Sequence, residues 1–184
     1  MARDLLVVVD MQHGFLREGN LANARCLEAL EPVRREVDRA LSAGWPLVLT
    51  ADTHEVDDAE FATFPEHCVR GTSEAELVDE LRPAAAQPEA WVVRKRRYSA
   101  LHDSELPAIL KRYAIDRVRV CGVAADICVT YTTADLRNLD LPVTVAAAAT
   151  RTFDLPDHPG EEIERRTFDH MRTVLGAEVD DDAA

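Results

Sequence analysis

The chain has 184 residues and a mass of 20.4 kDa, the size of one α/β domain, and 47% of its residues are hydrophobic, enough for a sizeable core. This excludes a multidomain machine and a disordered tail. A formal charge of −13 argues against a broad grip on nucleic acid or an anionic membrane surface and points to a small molecule as the partner.

The first element read from the sequence is a short apolar run, Leu5 to Val9, whose β-branched content and lack of alternation mark a parallel strand buried on both faces. Asp10 ends it, so the run is too short for a signal core, and no apolar stretch reaches the roughly 18 residues of a membrane span. A cytoplasmic protein with no membrane partner is the expectation. Residues 26–43 carry Leu27, Leu30, Val33, Val37 and Leu41 at helical spacing and stop at Gly44, predicting a helix. A second strand is expected over 45–51, followed by Asp52 and an irregular acidic loop. A short helix opened by Ser73 follows over 73–81. Strands over 90–93, 117–121 and 141–147 then alternate with helices over 103–113, 125–139 and 160–175, and Val179 falls in a short last strand. The pattern predicts a single domain over 1–184: a doubly wound, mostly parallel sheet of five to six strands with helices on both faces.

In such sheets ligands bind outside the carboxyl ends of the strands. Asp10 follows the first strand, Asp52 and His54 the second, Lys95 the third, and the turn to Cys128 the fourth, so the candidate reactive groups converge on one edge. The four cysteines show no Cys-x-x-Cys spacing and read as free thiols. A thiol in the first turn of a helix faces free backbone N–H groups that lower its pKa and can hold an oxyanion, which singles out Cys128. The bland alternative for Cys128 is a small buried hydrophobe, and Cys26 and Cys121 keep that reading. Asp10 is either a loop cap or a general base beside the thiol. Only two of the 21 basic residues are lysines, so Lys95, inside the run Arg94–Arg97, marks a place where a compact ammonium fits and a guanidinium does not. The bland reading of that run is a solvated basic face. Asp52, His54, Glu60 and His67 make an N/O set suited to a divalent metal such as Zn, Mn or Fe. The neighbouring Asp57 and Asp58 make the loop acidic in general and weaken that inference.

Taken together, Val8-Val9-Asp10-Met11-Gln12-His13-Gly14-Phe15, Asp52-Thr53-His54, Phe64-Pro65-Glu66-His67-Cys68, Lys95-Arg96-Arg97-Tyr98-Ser99-Ala100 and Gly122-Val123-Ala124-Ala125-Asp126-Ile127-Cys128-Val129 resemble the isochorismatase-like cysteine hydrolase superfamily, and within it the nicotinamidases. The resemblance spans nearly the whole chain. It implies a catalytic triad of Asp10, Lys95 and Cys128, and an amide hydrolase rather than the isochorismatase branch, which lacks the nucleophilic cysteine. It further implies metal ligation by Asp52, His54, Glu60 and His67, with zinc the leading candidate. The Val123–Ala124 peptide is expected to be cis, with the Ala124 and Cys128 N–H groups forming an oxyanion hole. Substrate contacts are implied for Phe15, Phe64 and Tyr98, and a homo-oligomer is implied because superfamily members usually oligomerise. The expected reaction converts nicotinamide to nicotinate and ammonia through a thioester. The residues from His13 to Glu18 and Leu101 depart from the nicotinamidase pattern, so another amide, lactam or ureido substrate, or a non-catalytic metal-binding scaffold, stays open.

Overall fold

A computed structural model describes residues 3–182. Six strands, β1 (Asp4–Val9), β2 (Leu47–Asp52), β3 (Ala90–Lys95), β4 (Arg117–Val123), β5 (Val143–Arg151) and β6 (Glu178–Asp180), form one sheet in the order β3-β2-β1-β4-β5-β6. All neighbouring pairs are parallel. The helices are α1 (His13–Leu16), α2 (Ala24–Leu27), α3 (Leu30–Ser42), α4 (Arg82–Ala85), α5 (Leu106–Arg112), α6 (Thr130–Asn138) and α7 (Gly160–Thr173).

β1 lies in the middle of the sheet, and its side chains alternate between two apolar layers. Leu6 and Val8 pack with Val33, Val37 and Ala40 of α3, whereas Leu5, Val7 and Val9 pack with Leu106 and Ile109 of α5, Leu136 of α6 and Met171 of α7. Burial on both faces is why the run reads as continuously apolar. The strand order reverses direction at β1, with β2 on one side and β4 on the other, so a crevice opens between the carboxyl ends of β1 and β4. Val9 pairs with Gly122 there. Gly122 has φ +118°, and a Cβ on it would lie 2.1 Å from the Val9 carbonyl oxygen, so only glycine lets the two strands close at that point.

Several elements differ from the expectation for identifiable reasons. The helix expected over 26–43 is divided into α2 and α3, and α2 is capped by Asn23, whose side chain accepts from Arg25 N at 3.1 Å. The helix expected over 73–81 is replaced by 3₁₀ turns at Ser73–Ala75 and Asp79–Leu81. Its backbone is drawn instead to the segment after β1: His13 N donates to Glu76 O (3.0 Å) and Val78 N donates to Met11 O (3.1 Å). β5 runs past the expected 147 to Arg151, through four alanines and a register shift opposite Val120 and Gly122. Residues 125–129 form a turn of π geometry that precedes α6, in place of a regular first helical turn. The short α1 escaped the sequence reading because four residues carry no helical period.

One buried charge pair supports the sheet. Arg119 of β4 donates through Nε and Nη2 to both carboxylate oxygens of Glu36 on α3 (2.6 and 2.7 Å), and Nη2 also meets Asp180 Oδ2 at 2.8 Å. The Arg119 side chain is 7% exposed and that of Glu36 is 2% exposed. Removing one partner of such a pair leaves the other charge in the core. Glu36→Ala is therefore expected to lower unfolding free energy by about 3 kcal/mol in urea denaturation, and Glu36→Leu combined with Arg119→Met to cost far less.

Candidate active site

Asp52 and Lys95 end neighbouring strands at the same level, since they are register partners in the β2–β3 ladder. Side chains at paired positions point to the same face, and the Lys95 ammonium lies 3.3 Å from Asp52 Oδ1. Asp10, one residue beyond β1, adopts φ 51° and turns its carboxylate into the same space, with Oδ2 2.7 Å from Lys95 Nζ. Its other oxygen accepts from the Thr50 hydroxyl at 2.6 Å. Lys95 Nζ also donates to Cys128 Sγ at 3.5 Å. The trio expected from strand ends thus meets around one ammonium whose side chain is fully buried.

The charges follow from this packing. For Lys95, burial opposes ionisation, but Asp10 and Asp52 overcome it and hold the ammonium well above the usual lysine range. Burial pushes the Asp10 carboxyl up, with Lys95 opposing. Burial acts the same way on Asp52, but Lys95 and His54 outweigh it and keep that carboxyl below the usual range. Burial pushes the Cys128 thiol well up, Lys95 pulls it down, and Asp10 and Asp52 push it up again. The expectation of a thiol lowered by a helix N-terminus is therefore reversed. Burial, with Asp10 and Asp52 behind it, favours a thiol, and Asp10 stands beside it as a base that can take its proton.

The second cluster adjoins the first through Asp52. Its Oδ2 lies 3.0 Å from His54 Nε2 and 3.5 Å from His67 Nε2, and Glu60 Oε1 lies 3.9 and 4.0 Å from those two nitrogens. One ligand atom from each of the four residues falls within 4.8 Å of the others, and all four residues are buried. Two features test whether the set suits a metal. Burial and then Asp52 push the Glu60 carboxyl up, and Glu60 Oε2 is buried without a hydrogen-bond donor. Two imidazoles and two carboxylates at this spacing fit a divalent ion of the Zn, Mn or Fe type. His67 Nδ1–H donates to Pro65 O at 2.7 Å, which leaves Nε2 to face the cluster.

A narrow cleft opens beside both clusters and is lined by Phe15, Phe64, Tyr98, Ala124 and Cys128, with Asp52, Glu60 and His67 at its polar end. Every lining residue expected from the sequence is there. The Val123–Ala124 peptide is cis, as the resemblance implied. Leu21, Ile127 and Phe153 also line the cleft and were not anticipated. Phe153 follows the true end of β5, and the strand-end rule would have found it had the strand not been stopped at 147. Gln12 is a further residue without a role in the sequence reading. Its Nε2 donates to Asp52 O (2.9 Å) and Ala75 O (2.9 Å), and its Oε1 accepts from Asp52 N (2.7 Å), so it stitches the chain after β1 to the end of β2.

The parallel sheet, with its cluster of reactive side chains at the strand carboxyl ends, defines the class: a doubly wound α/β domain. The chain belongs to the isochorismatase family, whose domain matches residues 4–177. It is 28% identical to a nicotinamidase of Acinetobacter baylyi over 183 aligned residues, covering 82% of each chain. The structure superposes on an N-carbamoylsarcosine amidase from Thermoplasma acidophilum with a TM-score of 0.83 at 30% identity, over 96% of this chain and 95% of that one. It superposes on a pyrazinamidase of Pyrococcus horikoshii solved in complex with zinc with a TM-score of 0.84 at 26% identity, over 97% and 98% of the two chains. Among the described residues no helix is long and apolar enough to cross a membrane.

Cys128 is the cysteine that lines the cleft, whereas Cys26, Cys68 and Cys121 are fully buried in the core. Iodoacetamide followed by peptide mapping is expected to modify Cys128 first in the folded protein, at a rate that climbs as pH rises above neutral. The other three should react only as fast as the protein opens.

Proposed function

We propose that this protein is a cysteine-dependent amidase acting on nicotinamide or a close heteroaromatic amide. The observation that carries the reading is the single buried ammonium that touches Asp10 at 2.7 Å and Cys128 at 3.5 Å on the floor of an aromatic-walled cleft. Asp10 takes the thiol proton, Lys95 stabilises the charged pair, and the thiolate sulfur attacks the amide carbonyl carbon. The backbone N–H groups of Ala124 and Cys128 receive the oxyanion. As the tetrahedral adduct collapses, the C–N bond breaks and the Asp10 proton passes to the leaving nitrogen, releasing ammonia and a thioester. Water, deprotonated by Asp10, then cleaves the thioester to the acid and restores the thiol.

A divalent cation held by Asp52, His54, Glu60 and His67 would supply a Lewis-acid contact for a ring nitrogen. Phe15, Phe64, Tyr98 and Phe153 are suited to flank a planar ring, and orientation of this kind raises the rate by holding the carbonyl near the sulfur. The cleft also bears on the rival substrates. Among the described residues that line it there is no arginine or lysine, so the carboxylate of an N-carbamoyl amino acid would have no cationic side chain to meet it and would compete for the metal instead. An uncharged heteroaromatic amide meets no such penalty.

Ammonia release from nicotinamide, compared with a panel of ureido and lactam compounds, tests the substrate class. Cys128→Ala is expected to reduce turnover by at least ~10³-fold while leaving metal content unchanged, and full activity in that variant would overturn the scheme. Asp10→Asn is expected to lower kcat by ~10²- to 10⁴-fold, the range for loss of a general acid–base group.

A further inference from the structure

We infer that Asp58 is a positioning residue for the metal cluster, orienting His54 and placing Glu60, and that Arg97 holds it in position. This rests on reading Asp52, His54, Glu60 and His67 as metal ligands.

An imidazole that binds a metal through one nitrogen must carry its proton on the other, and whatever accepts that proton sets the tautomer and the ring's rotation. His67 satisfies this requirement with a backbone carbonyl, Pro65 O. For His54 the facing groups are side chains: its Nε2 lies 3.0 Å from Asp52 Oδ2, while its Nδ1 and Asp58 Oδ2, both buried without a hydrogen bond, face each other at 3.2 Å. The second Asp58 oxygen accepts from Glu60 N at 3.0 Å and caps the turn Ala59–Ala62, the turn that presents the Glu60 carboxylate. One residue therefore stands against two of the four ligands, facing His54 Nδ1 and accepting from Glu60 N. Arg97 Nη1 donates to that same oxygen at 2.9 Å, and the Asp58 side chain is only 1% exposed. Arg97 stands two residues beyond Lys95, so the loop that leaves β3 is fastened to the metal loop through Asp58. A carboxylate included in the loop's general acidity, and an arginine read as part of a solvated run, thereby become specific parts of the site.

A capping role alone and a positioning role toward the metal make different predictions. Asp58→Asn keeps an oxygen for the Glu60 N–H but presents an amide NH₂ toward His54 Nδ1, which then favours the wrong tautomer. Zn²⁺ affinity is measured by competition with a chromophoric chelator for the wild-type protein, Asp58→Asn and Arg97→Met, beside thermal unfolding of the metal-free proteins. Asp58→Asn is expected to weaken Zn²⁺ binding by about 10- to 100-fold with little change in metal-free Tm, and Arg97→Met to weaken it less in the same direction. Excess Zn²⁺ should restore occupancy in both variants. Unchanged affinity in Asp58→Asn, or a loss matched by collapse of metal-free stability, overturns the inference while leaving the metal reading intact. Failure of the wild-type protein to take up Zn²⁺ overturns both.

Discussion

A buried ammonium is the constraint from which the rest of this site follows. Moving the Lys95 charge out of water is unfavourable by several kcal/mol unless anions meet it at hydrogen-bond distance. Asp10 and Asp52 do so at 2.7 and 3.3 Å. The strands are arranged accordingly. The β2–β3 register places Asp52 level with Lys95, and the turn after β1 brings Asp10 in from the neighbouring strand. Burial among these groups raises the Cys128 thiol, and Asp10 stands close to it as a carboxylate.

Asp52 joins the Asp10–Lys95–Cys128 trio to the cluster of His54, Glu60 and His67 by dividing its two oxygens between them. One oxygen faces Lys95 and the other faces His54 and His67. The position of its backbone is not left to the strand alone, because the Gln12 side chain bonds both Asp52 N and Asp52 O. The aromatic cluster adds a second form of rigidity: Phe61 lies 5.2 Å from His54 and 5.7 Å from His67 between ring centroids, and Phe15 lies 5.7 Å from His67 on the cleft side. Charge pairing and ring packing thus act on the same few side chains.

The residues found by reading the sequence share one property: each stands at or just beyond the end of a strand, or in a motif that resembles a known family. Asp10, Asp52 and Lys95 were legible because the strands before them are short apolar runs whose ends are easy to see. Phe153 was missed because the alanines of β5 blur its end, and Leu21 because the loop that carries it has no periodic signal. Asp58 and Gln12 were present in the sequence as an acidic loop residue and a motif letter. Their roles depend on what lies across from them, which no local pattern encodes.

Hydrophobic periodicity in the chain by itself determined the alternation of strands and helices, the parallel sheet and the edge on which its chemistry collects. Burial of apolar surface is a property of residue order, and right-handed crossovers leave few ways to arrange it. Only the tertiary structure decided the electrostatics: that burial raises the Cys128 thiol, that Lys95 is shared between two carboxylates, and that Asp58 faces His54 and accepts from Glu60 N. A pKa and a ligand's orientation depend on distances between groups remote in sequence and on the water excluded between them, and those quantities exist only once the chain has packed.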